Sequence, residues 1–193
     1  KTYLQLQNVP IEIINKEFTL YFDLRFLKNR FLGTIFEFAN QNSKISVKYT
    51  YDKIEVFIKN GKQEYKESVK VPLETSKFGY FIIDYNYKPN TILILYNNKS
   101  YSFQHDPINF ESDFSYFKAL DNVPCQLSRL FLSKRVFNSN EIKLLTLLPY
   151  SPVASFHISE SAHFPPSFLS LFKPSIAPDF LFIFNAQISL KRF

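Results

Sequence analysis

Glycine is nearly missing, with three residues in a chain of 193. Such a chain has no glycine-rich loop to cradle a phosphate, because those loops need backbone amides unobstructed by side chains. Alanine is scarce, which argues against a helical bundle. Tryptophan and methionine are absent, and the only cysteine is Cys125. One thiol makes no internal disulfide and excludes a two-cysteine, two-histidine zinc site, while leaving the cellular compartment open. No apolar run approaches the roughly 20 residues that span a bilayer, so no transmembrane segment is expected. The chain starts at Lys1. It is therefore expected to be a piece of a longer protein, with no secretory signal at this N-terminus.

Charge of neither sign accumulates. The net charge is +6, with 20 basic and 15 acidic side chains in residues 1–150 and 3 and 2 in the remainder. A mild excess spread along the chain reads first as a solvated lysine-rich surface. Its sharper reading is a preference for acidic partners, such as sulfated glycans, phosphates or anionic lipid.

What the chain has is apolar and aromatic mass. Apolar residues make up 46%, and 23 Phe and 12 Tyr carry an aromatic share of 18%. That is a globular composition with a bias toward strands, where flat rings lie well on a pleated face. Strict alternation appears in Phe18, Leu20, Phe22, Leu24 and Phe26, set against Thr19, Tyr21, Asp23 and Arg25. A period of two predicts a strand with one buried face. The pattern returns in Ile45, Val47 and Tyr49, and again in Ile54, Val56 and Ile58, with Tyr51-Asp52 between them at hairpin spacing. Asn60-Gly61 is a strong hairpin signal, since both residues tolerate positive φ. Further strands are expected near Glu64 to Val71, Phe78 to Tyr85, Thr91 to Tyr96 (apolar enough to be buried on both faces), Tyr101 to Phe103, Phe114 to Leu120 and Gln126 to Ser133. Short strands at regular spacing define an all-β sandwich or barrel. One helix is expected from Asn138 to Leu148. Asn138 and Glu141 form a capping box, Phe137 and Ile142 a hydrophobic staple, and Pro149 the stop.

The segment Ile92-Leu93-Ile94-Leu95-Tyr96-Asn97-Asn98-Lys99 resembles the strand and turn "lYvNGk" of laminin-G-like domains. Leu130 to Ile142 resembles their closing strand and helix, "v.iynraLs..Ei", and Glu17 to Phe26 their early "ftl..wv" strand. The resemblance covers about 140 residues and is to the concanavalin A-like lectin/glucanase superfamily. It implies an antiparallel two-sheet jelly roll at residues 1–149, with binding of glycans or proteins as the common role and glycoside hydrolysis in some members. Two positions depart from the family: Gly79-Tyr80 stands where a Trp is usual, and Asn98 where the turn has Gly.

Glycosidases on this fold use Glu-x-Asp-x-x-Glu, which aims two carboxyl groups at one site about 5–5.5 Å apart. The nearest match is Glu111-Ser112-Asp113-Phe114-Ser115-Tyr116, where Tyr replaces the second acid. Nor is there a Gly-x-Ser-x-Gly elbow to hold a nucleophile beside His105-Asp106. His105, His157 and His163 show no metal-ligand spacing, and His105 is expected to be solvated. Cys125 reads as a packed thiol. Calcium, a possibility raised by the resemblance, would need converging oxygens, and Asp52, Asp84, Asp106 and Asp121 are scattered. No enzyme activity and no cofactor are expected. Lys44, Lys48, Lys53 and Lys59 share an outward sheet face, but Glu55 and Phe57 interrupt them. That pattern protects a sheet against aggregation rather than binding nucleic acid.

The best ligand candidates are Tyr85, Asn86 and Tyr87. Two aromatics and an amide at a turn suit a sugar, since ring faces stack on its apolar face and amides bind its hydroxyls. The plainer reading is that one or both tyrosines cap the core. The expected role is a non-catalytic module recognising a glycan, an acidic one among the candidates, or else a protein-interaction or scaffold domain of a multidomain protein. An extracellular or cell-surface location is favoured over an intracellular scaffold, and the sequon Asn98-Lys99-Ser100 has meaning only in the former.

After Tyr150 the composition changes. The last 43 residues hold five of the 11 prolines and eight Phe, and no Tyr. Residues 150–193 are expected to be a loosely ordered tail or linker. The alternatives are an extra strand packed back on the sandwich, with Phe180 to Phe184 the best candidate, or a gene-model artefact.

Overall fold

The computed structural model describes residues 4–11, 17–110, 112, 114–133, 135–147 and 180–189, the side chains of 4–11, 147 and 180–189 excepted. Among these, the strands are β1 (Leu4–Ile11), β2 (Phe18–Phe26), β3 (Leu32–Ala39), β4 (Ser43–Thr50), β5 (Lys53–Asn60), β6 (Gln63–Lys70), β7 (Gly79–Asn86), β8 (Thr91–Tyr96), β9 (Lys99–Gln104), β10 (Phe114–Asp121), β11 (Cys125–Ser133) and β12 (Phe180–Ser189). The helix α1 (Ser139–Leu147) lies between β11 and β12. Two six-stranded sheets result, in the orders β1-β10-β3-β4-β5-β6 and β12-β11-β2-β7-β8-β9. Every pairing is antiparallel. The architecture is the expected two-sheet sandwich with one short helix.

The alternating residues behave as their period demands. Phe18, Leu20, Phe22 and Leu24 from one sheet meet Phe36, Phe38, Ile45, Val47, Ile54 and Val56 from the other in one buried core. Aromatic rings set the spacing: Phe18 lies edge-on to Phe38 at 5.3 Å and stacked on Tyr85 at 5.3 Å. Edge-to-face and offset geometries are the favourable ones for ring quadrupoles.

The outer face of the second sheet is also covered. Thr19, Tyr21 and Asp23 are buried, so β2 is enclosed on both faces rather than on one. A second apolar cluster of Tyr21, Ile82, Phe131, Phe137 and Leu145 forms there, joined by Tyr80, Leu95 and Ile142. Helix α1 is the cover. Its cap matches the sequence expectation: Asn138 Oδ1 accepts from the Asn140 and Glu141 amides at 3.0 and 3.1 Å, and Glu141 Oε2 accepts from the Asn138 amide at 2.9 Å. Phe137 and Ile142 both pack into the second cluster, as a staple should. The end expected near Leu148 and Pro149 lies outside the described residues.

The structure corrects three local expectations. Strand β8 is buried on one face only, with Ile92, Ile94 and Tyr96 inside and Leu93 and Leu95 half-buried. Asn60 ends β5 opposite Gln63, so that of the Asn60-Gly61 pair only Gly61 takes positive φ, at 56°. His105 is buried, not solvated, with its ring stacked on Tyr85 at 6.1 Å and Nδ1 2.7 Å from the Asp106 carbonyl. Cys125 is fully buried, and burial pushes its thiol up to about 12, which leaves no thiolate near neutral pH.

Within the tail, residues 180–189 form β12 along β11, with Phe184 opposite Leu130 and Phe182 opposite Leu132. The rest of the expected loose segment lies outside the described residues. Among the described residues, no helix is long and apolar enough to cross a membrane.

Because Phe18 fills the centre of the inter-sheet core, Phe18→Ala should cost about 3–5 kcal/mol in urea unfolding, a typical penalty for a deleted core ring. Phe57→Ala, on the half-buried outer face, should cost less than about 1.5 kcal/mol by the same measurement.

Candidate functional site

The antiparallel strands give the sandwich two ends, and the sequence candidates lie at one of them. Strand β7 runs out to Asn86, the turn Tyr87–Asn90 follows, and β8 returns from Thr91 opposite Asn86. Asn90 sits at φ 62°, and its amide donates to the Tyr87 carbonyl at 3.1 Å. The turn is held from outside as well. The His105 amide donates to the Asn90 carbonyl at 3.0 Å, and Gln104 Nε2 donates to the Pro89 carbonyl at 2.6 Å.

The three candidates part company here. Tyr85 is 1% exposed and faces the core, stacked between Phe18 and His105. Asn86 and Tyr87 are half-buried at the rim. Any aromatic surface offered by this turn therefore comes from Tyr87. Its hydroxyl donates to Asn109 Oδ1 at 2.6 Å. Asn60 Nδ2 donates to the Asn109 carbonyl, and Ser43 Oγ donates to Asn60 Oδ1 at 2.6 Å. The rim is thus laced to β4 and β5 of the opposite sheet.

Around it, Tyr65 and Tyr101 pack against the core from the edge strands β6 and β9, and the Tyr65 ring lies 5.5 Å from His105. Tyr65, Asn60 and Asn109 were not among the sequence candidates. They reach Tyr87 and His105 only through the packing of one sheet on the other. Tyr85 Oη and His105 Nε2 are buried with no hydrogen-bond partner among the described residues. Burial keeps the His105 imidazole neutral by pushing its pKa below the usual range. The Tyr87 ring and the amides of Asn86 and Asn109 are groups that can recognise a polyhydroxylated ligand, whereas the His105 imidazole is buried behind them.

The dispersed acids stay dispersed. Asp52 pairs with Lys70 at 3.6 Å, Asp121 with Lys118 at 2.6 Å, and Asp84 is buried under the helix link. Among the described residues, no three of His, Cys, Asp and Glu converge as metal ligands would. Glu111 and Asp113 lie outside the described residues. The lysine face is interleaved with carboxylates: Lys44 pairs with Glu37 at 2.6 Å and Lys66 with Glu55 at 3.2 Å.

No family model matches the chain, and no curated protein does. Solved structures do. The binding domain of botulinum neurotoxin DC in complex with SialylT aligns at a TM-score of 0.59 and 14% identity over 79% of this chain. The alignment covers 41% of that chain, so this chain spans about two-fifths of the length of the toxin domain. Mouse laminin α1 domains LG4-5 align at 0.56 and 12% over 72% of this chain and 41% of that one. The CBM40 module of a Ruminococcus gnavus IT-sialidase, bound to α2,3-sialyllactose, aligns at 0.52 and 8%, covering 74% of this chain and 97% of the module. At these identities the likeness is one of fold alone, a two-sheet antiparallel jelly roll.

Beneath the helix link, Asp84 accepts a 2.6 Å bond from Thr19 Oγ1, and burial raises its carboxyl to about 7. A folded-state value above the unfolded one means that folding takes up a proton. Stability should therefore be greatest below about pH 4 and fall as pH rises to 7, as far as this group decides it. Asp84→Asn should remove that slope, and urea midpoints measured across this pH range check it.

Proposed function

We propose that the sandwich is a non-catalytic binding module that recognises a glycan, with an anionic sugar such as a sialylated one as the ligand class. The observation that supports this most is the alignment with nearly the whole of a compact module solved with α2,3-sialyllactose. A net charge of +6 suits an acidic sugar. The Tyr87 rim adds an aromatic face with amides of Asn86, Asn60 and Asn109 around it, on a turn anchored to both sheets. Anchoring before binding lowers the ordering cost. On this reading the module works outside the cell or at its surface, where such sugars are displayed.

A second reading is a protein-interaction domain of a larger chain. It draws support from the botulinum neurotoxin DC binding domain solved with rat synaptotagmin II, at a TM-score of 0.53. A glycan array separates the two. Binding to sialylated glycans by folded protein supports the first. A flat array together with a tight protein partner supports the second.

Tyr87→Ala should weaken glycan binding by about 1–2 kcal/mol in titration calorimetry, as loss of a stacking ring does. It should cost less stability than Tyr85→Ala, which empties a core position. Wild-type glycan affinity in Tyr87→Ala would place the site elsewhere on the sandwich.

A further inference from the structure

The opposite end of the sandwich carries a different surface. The β2–β3 loop, the β4–β5 turn, the β6–β7 link and the β10–β11 turn meet there. The Leu27 amide donates to the Pro124 carbonyl at 2.7 Å, Tyr51 to Phe31 at 2.7 Å and Val71 to Asp52 at 2.9 Å. These bonds join loops of both sheets into one rim. The large apolar side chains that the described residues leave most exposed all belong to it: Leu27 at 44%, Leu32 at 60% and Tyr51 at 64%. Leu32 pairs with Thr50, directly beside Tyr51, so these two are neighbours on adjacent strands.

Tyr51 is also held in an unusual backbone state. It occupies φ 62°, a region that bulky side chains rarely enter and that Asn or Gly enters cheaply. Elsewhere among the described residues such positions are taken by Asn90, Asn97, Asn98 and Asn122, and by Leu120, whose side chain is buried in the core. At the tip of this hairpin the chain keeps a solvent-facing aromatic that makes no contribution to the core. Backbone strain that supports no packing is a reason to look for a role of the side chain it presents.

The charges of the rim complete the pattern. Its acids are matched: Asp52 by Lys70, Glu74 by Lys77 and Asp121 by Lys118. Lys28, Arg30 and Lys53 are exposed and meet no carboxylate among the described residues. Apolar tips surrounded by surplus cations fit an interface that is anionic at its surface and apolar just beneath.

We propose that this rim docks on an anionic lipid bilayer, with Leu27, Leu32 and Tyr51 entering the interfacial layer and Lys28, Arg30 and Lys53 lying among the headgroups. Aromatic and leucine side chains at loop tips bury apolar area in the headgroup region, and each nearby cation adds attraction. This surface lies at the far end of the strands from Tyr87 and needs no sugar.

The test uses vesicles of phosphatidylcholine alone and of phosphatidylcholine with phosphatidylserine, both free of glycolipid, with binding read by co-sedimentation. Binding should require phosphatidylserine and weaken with salt. Lys28→Ala with Arg30→Ala should weaken it about thirty-fold, given the attraction each cation contributes. Tyr51→Asn separates docking from folding. It relieves the backbone, so the melting temperature should hold or rise while vesicle affinity falls several-fold. Lys44→Ala with Lys59→Ala, on the sheet face, should bind vesicles as wild type does. The proposal is overturned if the protein ignores phosphatidylserine vesicles. It is equally overturned if Tyr51→Asn and the Lys28/Arg30 variant both bind normally, or if the sheet-face pair is the one that abolishes binding. Capture of poly-glutamate by the rim without vesicle binding would assign it to an acidic peptide and also sink the idea. Because the vesicles carry no sugar, none of these outcomes bears on the glycan reading.

Discussion

The hydroxyl of Thr19 is a buried polar tie that links two paired strands to the segment leading into the helix. It donates to Asp84 on β7 and accepts from the Phe137 amide at 3.2 Å, on the link into α1. Two residues along, Tyr21 Oη donates to the Leu145 carbonyl of the helix. Two further, Asp23 accepts from Arg129 Nε of β11 at 2.6 Å. From Thr19 to Asp23 the outward side of β2 is thus polar or half-polar and buried, and only Arg25, near its end, is half-exposed. Burial lifts the Asp23 carboxyl above its ordinary range while Arg129 pulls it back. A sheet face of this kind is costly unless every group on it is matched. The helix is therefore a necessary third layer, and the Arg135–Glu141 fork, at 2.6 and 2.9 Å, fixes the turn that brings it in. The order of dependence runs from β2 outward: its inner face makes the inter-sheet core, and its outer face requires the helix.

This dependence explains what could be read from the sequence and what could not. Strands β2, β4, β5 and β7 were legible because each keeps its period. Strand β3 was not, because Ile35 is an extra residue: Thr34 pairs with Lys48 and Phe36 with Val47, so Ile35 and Phe36 are buried side by side. A bulge of that kind erases alternation at the point where it would be counted. Strand β1 carries Pro10 and a register irregularity between Gln7 and Ile11, which blur it in the same way. The double burial of β2 was hidden for another reason. Thr19, Tyr21 and Asp23 look like solvent-facing residues, and only the helix that returns more than a hundred positions later makes them interior.

The candidate site divides along the same line. Tyr85 keeps step with Phe81 and Ile83, and that period, which its reading as a ligand candidate passed over, turns it into the core, whereas Tyr87 lies beyond the end of β7 at the rim. Asn109 and Asn60 were beyond reach, since they join Tyr87 across the gap between sheets and from an irregular loop. The single helix was the most legible element. Its signals are local, and the capping box of Asn138 and Glu141 needs nothing outside its own first turn.

The geometry of a sandwich also constrains how two ends can be used together. Eight residues of β7 separate the Gly79 end from the Asn86 end, which at about 3.3 Å per residue is roughly 25 Å of rigid sheet. The strands are hydrogen-bonded on both sides for that length, so neither end can fold back toward the other. A ligand at the Tyr87 rim and a surface at the Tyr51 rim therefore do not compete for space. A bilayer under the Tyr51 rim points Tyr87 away from the headgroups, about 25 Å above them by the same strand geometry. A short headgroup sugar on that same bilayer does not reach Tyr87. Taken together, the two proposals therefore require partners that meet the module at ends held apart by that length of paired sheet.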